Sequence, residues 1–134
     1  MVDKLSKDIK RKYPAAVVLR EKPFVLNQRK LQPDITWIES KTTKIVEVTV
    51  PYETSIQYLE SRNVAKRLKY QILLDTGKIQ QIDTVVIGAL GTVTRGNAST
   101  INRLGMITTI KQMQMIAMNE SANIAHNHLK STDF

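Results

Sequence analysis

Residues 32–50 read QPDITWIESKTTKIVEVTV, and this stretch decides how the chain folds. It contains two runs rich in β-branched residues, separated by the polar segment SKTT at positions 40–43, and this pattern predicts a β-hairpin. The hairpin is apolar enough to lie in a core, yet it carries Asp34 in its first strand and Glu47 in its second. What the hairpin can do chemically therefore depends on where these two carboxylates point.

Taking SKTT as the turn fixes the register in which the two strands pair. Asp34 then lies opposite Thr49. In the same register, Thr36 lies opposite Glu47. Because side chains alternate along a strand, these polar residues share one face, while most of the apolar side chains share the other. The two carboxylates are predicted to be diagonal neighbours, close enough to hold one metal ion.

The rest of the chain predicts a single mixed α/β domain over residues 1–134. Apolar residues at helical spacing indicate a short basic helix over 2–12 and a long helix over 52–77. The β-branched run at 83–91 predicts a buried strand, and further helices follow over 97–126. The predicted order is a helix, about three strands, a helix, a strand and C-terminal helices, which gives a sheet with helices packed on it.

The composition of the chain restricts the kinds of binding site and partner that it can have. The chain has 134 residues, a formal net charge of +8 and no cysteine, which excludes disulfides and cysteine-based zinc sites. Its apolar runs are far too short to span a bilayer, so no membrane partner is expected. The basic charge favours a polyanionic partner such as DNA, through phosphate neutralisation and counterion release. A solvated basic surface is the alternative explanation of the same charge.

Two carboxylates held on neighbouring strands suit Mg²⁺ or Mn²⁺, hard cations that also accept waters and a substrate phosphate. Such an ion helps a bound water to ionise and offsets charge on a leaving oxygen, which is the chemistry of nucleases of the PD-(D/E)xK type. Restriction enzymes of this type carry a lysine two residues after the second acid, and here Thr49 stands at that position. A solvated hairpin with acids facing water is the competing interpretation.

The long helix supplies the candidate lysines. Its apolar residues Val64, Leu68 and Ile72 recur every four positions and predict the stripe that packs on the sheet. Lys66 and Lys69 lie beside this stripe, so either could reach the carboxylates from the edge of the buried face. The alternative is that their stems merely border the core.

Two stretches resemble a known family: RKLQPDITWIESKTTKIVEVTVPYE at 29–53 and SRNVAKRLKYQIL at 61–73. They look like the restriction-like endonuclease domain of non-LTR (LINE-type) retrotransposons. That family shows an arginine, then Pro-Asp, a spacer, a second acid, a VTVPYE-like strand end and a basic helix with a Lys-Tyr pair. The segments VVIGALGTV and INRLGM also look like its later strand and helix, so the resemblance spans most of residues 25–118.

The resemblance implies a restriction-endonuclease-like mixed β-sheet flanked by helices, with an αβββαβ core and additional C-terminal helices. It implies metal binding by Asp34 and Glu47, with the carbonyl of Val48 as a further ligand. The second acid is usually Asp in the family, so a glutamate here lengthens the reach. The implied catalytic residues are Asp34, Glu47, Lys66, Lys69, Arg29 and Tyr70. The expected DNA-binding residues are Arg29, Lys30, Lys10, Arg11, Lys12 and Arg62.

The expected function is a Mg²⁺-dependent endonuclease that nicks DNA, so that the free 3′ hydroxyl primes reverse transcription of the element. The resemblance also implies a nuclear location and contact with the element's own RNA and reverse-transcriptase region, which this chain lacks, so that it is expected to be a separate domain. Either a monomer or a homodimer is compatible. Two alternatives stay open: a cellular structure-specific nuclease, similar to archaeal Holliday-junction resolvases, and a decayed nuclease fold that only binds nucleic acid.

Overall fold

A mixed four-stranded sheet forms the centre of the protein, with helices on both of its faces. The structure is a computed structural model, which describes residues 2–52, 55–104, 112, 114–120 and 122. Its elements are α1 (Val2–Lys12), β1 (Val17–Arg20), β2 (Phe24–Leu26), β3 (Arg29–Leu31), β4 (Ile35–Glu39), β5 (Thr42–Thr49), α2 (Ile56–Asp75), β6 (Gln81–Val86) and α3 (Arg95–Arg103). The predicted mixed α/β class is confirmed.

The strand order in the main sheet is β1-β4-β5-β6. Strand β4 pairs antiparallel with both β1 and β5, whereas β5 and β6 are parallel and are connected through α2. Strands β2 and β3 form a separate hairpin between β1 and β4. Without that hairpin, the elements follow the predicted order of helix, three strands, helix and strand. Of the predicted C-terminal helices, α3 and a helical stretch at 114–120 are described, and the remainder lies outside the described residues.

The turn between β4 and β5 is tighter than SKTT. Only Ser40 and Lys41 form it, with φ angles of 50° and 67°, and Glu39 pairs with Thr42. A two-residue turn with both φ angles positive matches the right-handed twist of the flanking strands, and this leaves the β-branched Thr42 free to begin β5. The predicted pairing was therefore wrong by two residues.

A shift of two residues changes the partners of each side chain but preserves the face on which it lies. Extending the observed pairing of Ile35 with Val46 by one position places Asp34 directly opposite Glu47. The predicted partner Thr49 was therefore wrong, while the prediction that both carboxylates share a face was right. The acids are closer neighbours than the sequence indicated.

Two clusters of buried side chains hold the helices on the sheet. On one face, α1 and α3 pack on residues that include Ile35, Trp37 and Val46. On the other face, where the carboxylates lie, α2 packs on Ile45 and Ile82. Because both faces are covered, the acids lie between the sheet and α2 rather than on an open surface.

Helix α2 is rotated relative to the prediction. Val64 and Leu68 are 57% and 67% exposed, whereas Leu59, Tyr70 and Leu73 are almost completely buried. The predicted stripe was wrong at Val64 and Leu68, because it counted aliphatic residues alone, whereas Ile72 is half-buried against the core. The face that packs instead buries the larger Tyr70, whose hydroxyl group has a partner within the protein.

The rotation of α2 predicts a sharp contrast between two leucines on the same helix. Leu73→Ala should lower the free energy of unfolding by about 2–5 kcal/mol, because it leaves a cavity beneath α2. Leu68→Ala should change it by no more than about 0.5 kcal/mol. Urea unfolding of both variants measures the difference. Equal losses would show that α2 packs through the other stripe.

Candidate active site

The backbone of the hairpin holds the two carboxylates in place. The N–H of Asp34 donates to Oε1 of Glu47 at 2.8 Å, and the N–H of Val48 donates to Oδ2 of Asp34, also at 2.8 Å. Each acid thus has one oxygen fixed by the strand that carries the other acid. This reciprocal bonding follows from their positions opposite each other, and it orients both groups before any ligand arrives.

Two side chains of α2 complete the cluster. The hydroxyl of Tyr70 donates to Oε1 of Glu47 at 2.9 Å, and Nζ of Lys66 lies 3.5 Å from Oε2 of the same carboxylate. Lys66 and Tyr70 are four residues apart, so they lie on the same side of the helix. Leu59 and Leu73 of the buried stripe anchor that side against the sheet. The packing of α2 therefore delivers an ammonium group to the acids.

Burial gives this cluster an unusual electrostatic environment. Glu47 is 4% exposed, and the side chain of Lys66 is 21% exposed. Desolvation, followed by the nearby charge of Glu47 and the hydrogen bond to it, raises the pKa of Tyr70 well above its ordinary value of 10.0. Tyr70 therefore remains a neutral donor at all physiological pH values, and it holds Glu47 by a hydrogen bond.

The raised pKa of Tyr70 predicts a pH dependence of stability. A folded-state pKa above the unfolded value means that stability is complete below about pH 10 and is lost as the pH rises further. We expect the loss to approach about 1.4 kcal/mol per pH unit, and Tyr70→Phe should remove this component. Urea unfolding of both proteins between about pH 9 and about pH 11 measures the two slopes. Parallel slopes would contradict this role of the buried hydroxyl.

The oxygens that remain at the carboxylates suit a hard cation. Hydrogen bonds occupy Oδ2 of Asp34 and Oε1 of Glu47, and Oε2 of Glu47 lies 3.5 Å from Nζ of Lys66. An ion would therefore coordinate Oδ1 of Asp34 and Oε2 of Glu47, beside the Lys66 ammonium. In the part of the chain that the structure describes, no group of three or more His, Cys, Asp or Glu residues could hold a metal. A pair of carboxylate oxygens, with water and a substrate phosphate as the other ligands, is nevertheless a usual Mg²⁺ arrangement. The residues therefore fit Mg²⁺, with the Val48 carbonyl still a predicted ligand.

The other predicted catalytic residues, Lys69 and Arg29, lie on different elements of the fold. Lys69 is exposed, and its ammonium lies 5.2 Å from the centre of the Tyr70 ring rather than at the acids. Arg29 and Lys30 are exposed on β3, a few residues before Asp34. The segments next to this hairpin are held at the same corner of the sheet. The side-chain amide of Gln32 donates to the carbonyl of Glu21, and the N–H of Glu21 donates to the carbonyl of Asp34. Arg29 and Lys30 are thus near the site along the chain, but no described contact joins them to the carboxylates.

The basic residues of α1 lie elsewhere. Helix α1 packs on the face of the sheet opposite to Glu47. Lys10 donates to the carbonyls of Pro14 and Ala16, and Lys12 donates to the carbonyl of Arg103. Nη1 of Arg11 lies 3.9 Å from Oδ1 of the buried Asp8. The structure does not bring the predicted DNA-binding residues Lys10, Arg11 and Lys12 together with the acids. Arg62, by contrast, lies on α2 one turn before Lys66.

The sequence interpretation missed two residues next to the cluster. Thr84 pairs with Glu47 across β5 and β6, and its hydroxyl lies 2.7 Å from Oδ1 of Asn63 on α2. Asn63 is three residues before Lys66, so helical spacing from the lysine is a signal that could have found it. The contact places a polar pair beside the carboxylates on the side of β6.

No protein-family model matches this chain, and no curated protein matches it at a significant level. None of the helices in the described ranges is long and apolar enough to cross a membrane. The functional assignment therefore rests on the carboxylate pair and on the residues that surround it.

Proposed function

We propose that this protein is a Mg²⁺-dependent DNA endonuclease with a restriction-endonuclease-like fold, related to the nuclease domains of non-LTR retrotransposons. The observation that carries the proposal is the cluster of Asp34, immediately before β4, and Glu47, on β5, with Lys66 at 3.5 Å from Glu47. The order of helix, three strands, helix and strand around the sheet supports the finer fold assignment. The net charge of +8 supports a polyanionic substrate.

In this proposal, hydrolysis forms a bond from a water oxygen to phosphorus and breaks the bond from phosphorus to the 3′ oxygen. The products are a 5′ phosphate and a 3′ hydroxyl, and the protons of the water pass to the 3′ oxygen and to solvent. Asp34 and Glu47 would hold Mg²⁺, which when bound supplies Lewis-acid stabilisation of the phosphate and lowers the pKa of water. The free 3′ hydroxyl is the end that reverse transcription requires.

The residues of the chain have separate tasks in that reaction. The two backbone N–H groups fix the orientation of the carboxylates, so little reorganisation is needed when substrate binds. Tyr70 fixes Glu47 from the side of the helix. Lys66 places a positive charge where the phosphate oxygens gain negative charge, and it can orient the attacking water. Burial beneath α2 strengthens these interactions because it excludes bulk water.

The test is the conversion of supercoiled plasmid to nicked circles by the purified protein with Mg²⁺, Mn²⁺ or EDTA. The proposal expects nicking with either metal and none with EDTA. Faster cutting of four-way junctions than of linear duplex would favour a structure-specific resolvase over the retrotransposon enzyme. Salt-sensitive DNA binding without any metal-dependent cutting would contradict the nuclease and favour a binding module.

A further inference from the structure

A groove with a volume of about 660 Å³ lies beside the carboxylate cluster, between the N-terminal part of α2 and the beginning of α3. Thr84 and Asn63 contribute to its lining. Because Thr84 is the partner of Glu47 in the parallel pair, the groove begins one strand away from the acids, about 4.8 Å in a β-sheet. The groove is therefore the space next to Glu47 on the β6 side of the sheet.

Each wall of the groove carries an arginine. Arg67 projects from α2, and one of its guanidinium nitrogens donates to the carbonyl of Ile82 at 2.9 Å. This bond fixes the group to β6, and its remaining N–H groups can donate to a ligand. Arg95, exposed at the first position of α3, lies on the facing wall. Among the lining residues that the structure describes, Glu60 is the acidic one, so their charged side chains sum to +1.

The first turn of α3 adds donors to the same wall. Thr94 caps this helix and accepts from the N–H of Asn97 at 3.2 Å. The N–H groups of Arg95 and Gly96 precede it and have no acceptor within the helix. Space above Gly96 is open, since a Cβ built there would meet nothing within 4 Å. Two arginine side chains and two backbone amides therefore surround a space of suitable size for a sugar-phosphate unit.

We propose that this groove binds the backbone of the DNA strand next to the phosphate that is cut. The assignment rests on the proposed nuclease function, which places the scissile phosphate at Asp34 and Glu47. Arg67 and Arg95 neutralise the neighbouring phosphate, and Val64 and Val93 in the lining provide apolar surface for the deoxyribose. The groove thus fixes the register of the strand, so that one chosen phosphodiester lies at the carboxylates.

The experiment compares Arg95→Glu with Lys78→Glu, a matched charge reversal. Lys78 is exposed and follows the C-terminus of α2, at the other end of a helix of 20 residues or about 30 Å. Binding of a fluorescent duplex is measured in EDTA over a range of salt concentrations. Arg95→Glu should weaken binding by about tenfold or more and lower the salt slope by about 1, while Lys78→Glu should change affinity less than about threefold. Equal effects of the two reversals would overturn the proposal.

A second measurement locates the contact on the strand. Duplexes in which single phosphates are replaced by neutral methylphosphonates are bound by wild type and by Arg95→Ala. Neutralising the phosphate next to the cut should weaken binding by wild type by about tenfold and should have little further effect on Arg95→Ala, because the two changes remove one interaction. Independent effects of the two changes would overturn the assignment. Displacement of the duplex by inorganic phosphate that occupies the site about equally well would also overturn the assignment, because it indicates a site for small anions.

The two proposals fail in distinguishable ways. Affinity is measured in EDTA, so a difference between Arg95→Glu and Lys78→Glu appears whether or not the protein cuts DNA. A groove that does not bind DNA would leave plasmid nicking by wild type intact. Conversely, absence of nicking by wild type contradicts the nuclease without changing the salt slopes.

Discussion

Asp34→Asn and Glu47→Gln should each reduce Mg²⁺-dependent nicking by roughly 10³-fold or more. A loss of this size corresponds to about 4 kcal/mol of transition-state stabilisation, which is reasonable when a metal ion loses one of two protein ligands. The amide replacements keep an oxygen that can accept the existing bonds from Val48 and Tyr70. The measurement is the rate of plasmid nicking under single-turnover conditions.

Glu39→Gln is the matched control for this pair of substitutions. Glu39 belongs to the same hairpin, but it pairs with Thr42 beside the turn and lies away from the cluster. Its replacement should leave the nicking rate within about twofold of wild type. The two site variants should also remain folded, because each amide keeps the size of the original side chain and an oxygen that accepts the existing hydrogen bonds. Full activity in Asp34→Asn would rule out the assigned site.

Lys66→Met should lower the nicking rate by about 10²-fold, whereas Lys69→Met should leave it within about threefold of wild type. The difference follows from the distances, since Nζ of Lys66 lies 3.5 Å from Glu47 while Lys69 is exposed and lies against the Tyr70 ring. Methionine preserves the apolar stem that packs along α2, so the change removes mainly the charge. Circular dichroism checks that both variants are folded.

The two lysine variants also separate catalysis from DNA binding. If Lys66 acts on the phosphate in the transition state, the loss should appear in kcat, and KM should change little. A surface contact to the DNA backbone should instead raise KM and become weaker at high salt. A larger loss for Lys69→Met than for Lys66→Met would reverse the assignment.

The sequence predicted the face of the carboxylates better than their register. Alternation along the strands placed Asp34 and Glu47 on one side, and this result holds for any register that is shifted by an even number of residues. The length of the turn was the weak point, because SKTT is polar throughout and nothing in its letters shows that Ser40 and Lys41 alone would adopt positive φ angles. Because the turn has two residues rather than four, Asp34 and Glu47 lie directly opposite each other.

The orientation of α2 could not be predicted from hydrophobicity alone. The stripe of Val64 and Leu68 is as apolar as a buried face, yet it is exposed. The face that packs buries Leu59, Tyr70 and Leu73. The Tyr70 hydroxyl donates to Glu47, which is 23 residues away in sequence, so no local pattern reveals this contact. Lys66 was nevertheless identified as a candidate, because it borders both stripes. The groove beside Thr84 depends on how β6 and α3 meet, which no local pattern contains.

The most direct test of the carboxylate pair as a catalytic metal site combines two measurements on the same samples. Calorimetry measures Mn²⁺ binding to wild type, Asp34→Asn, Glu47→Gln and Glu39→Gln, and plasmid nicking is measured in parallel. We predict that wild type and Glu39→Gln bind the ion and nick DNA, and that Asp34→Asn and Glu47→Gln lose both properties together. Nicking that persists in a variant that no longer binds Mn²⁺, or unchanged binding in both site variants, would contradict the account.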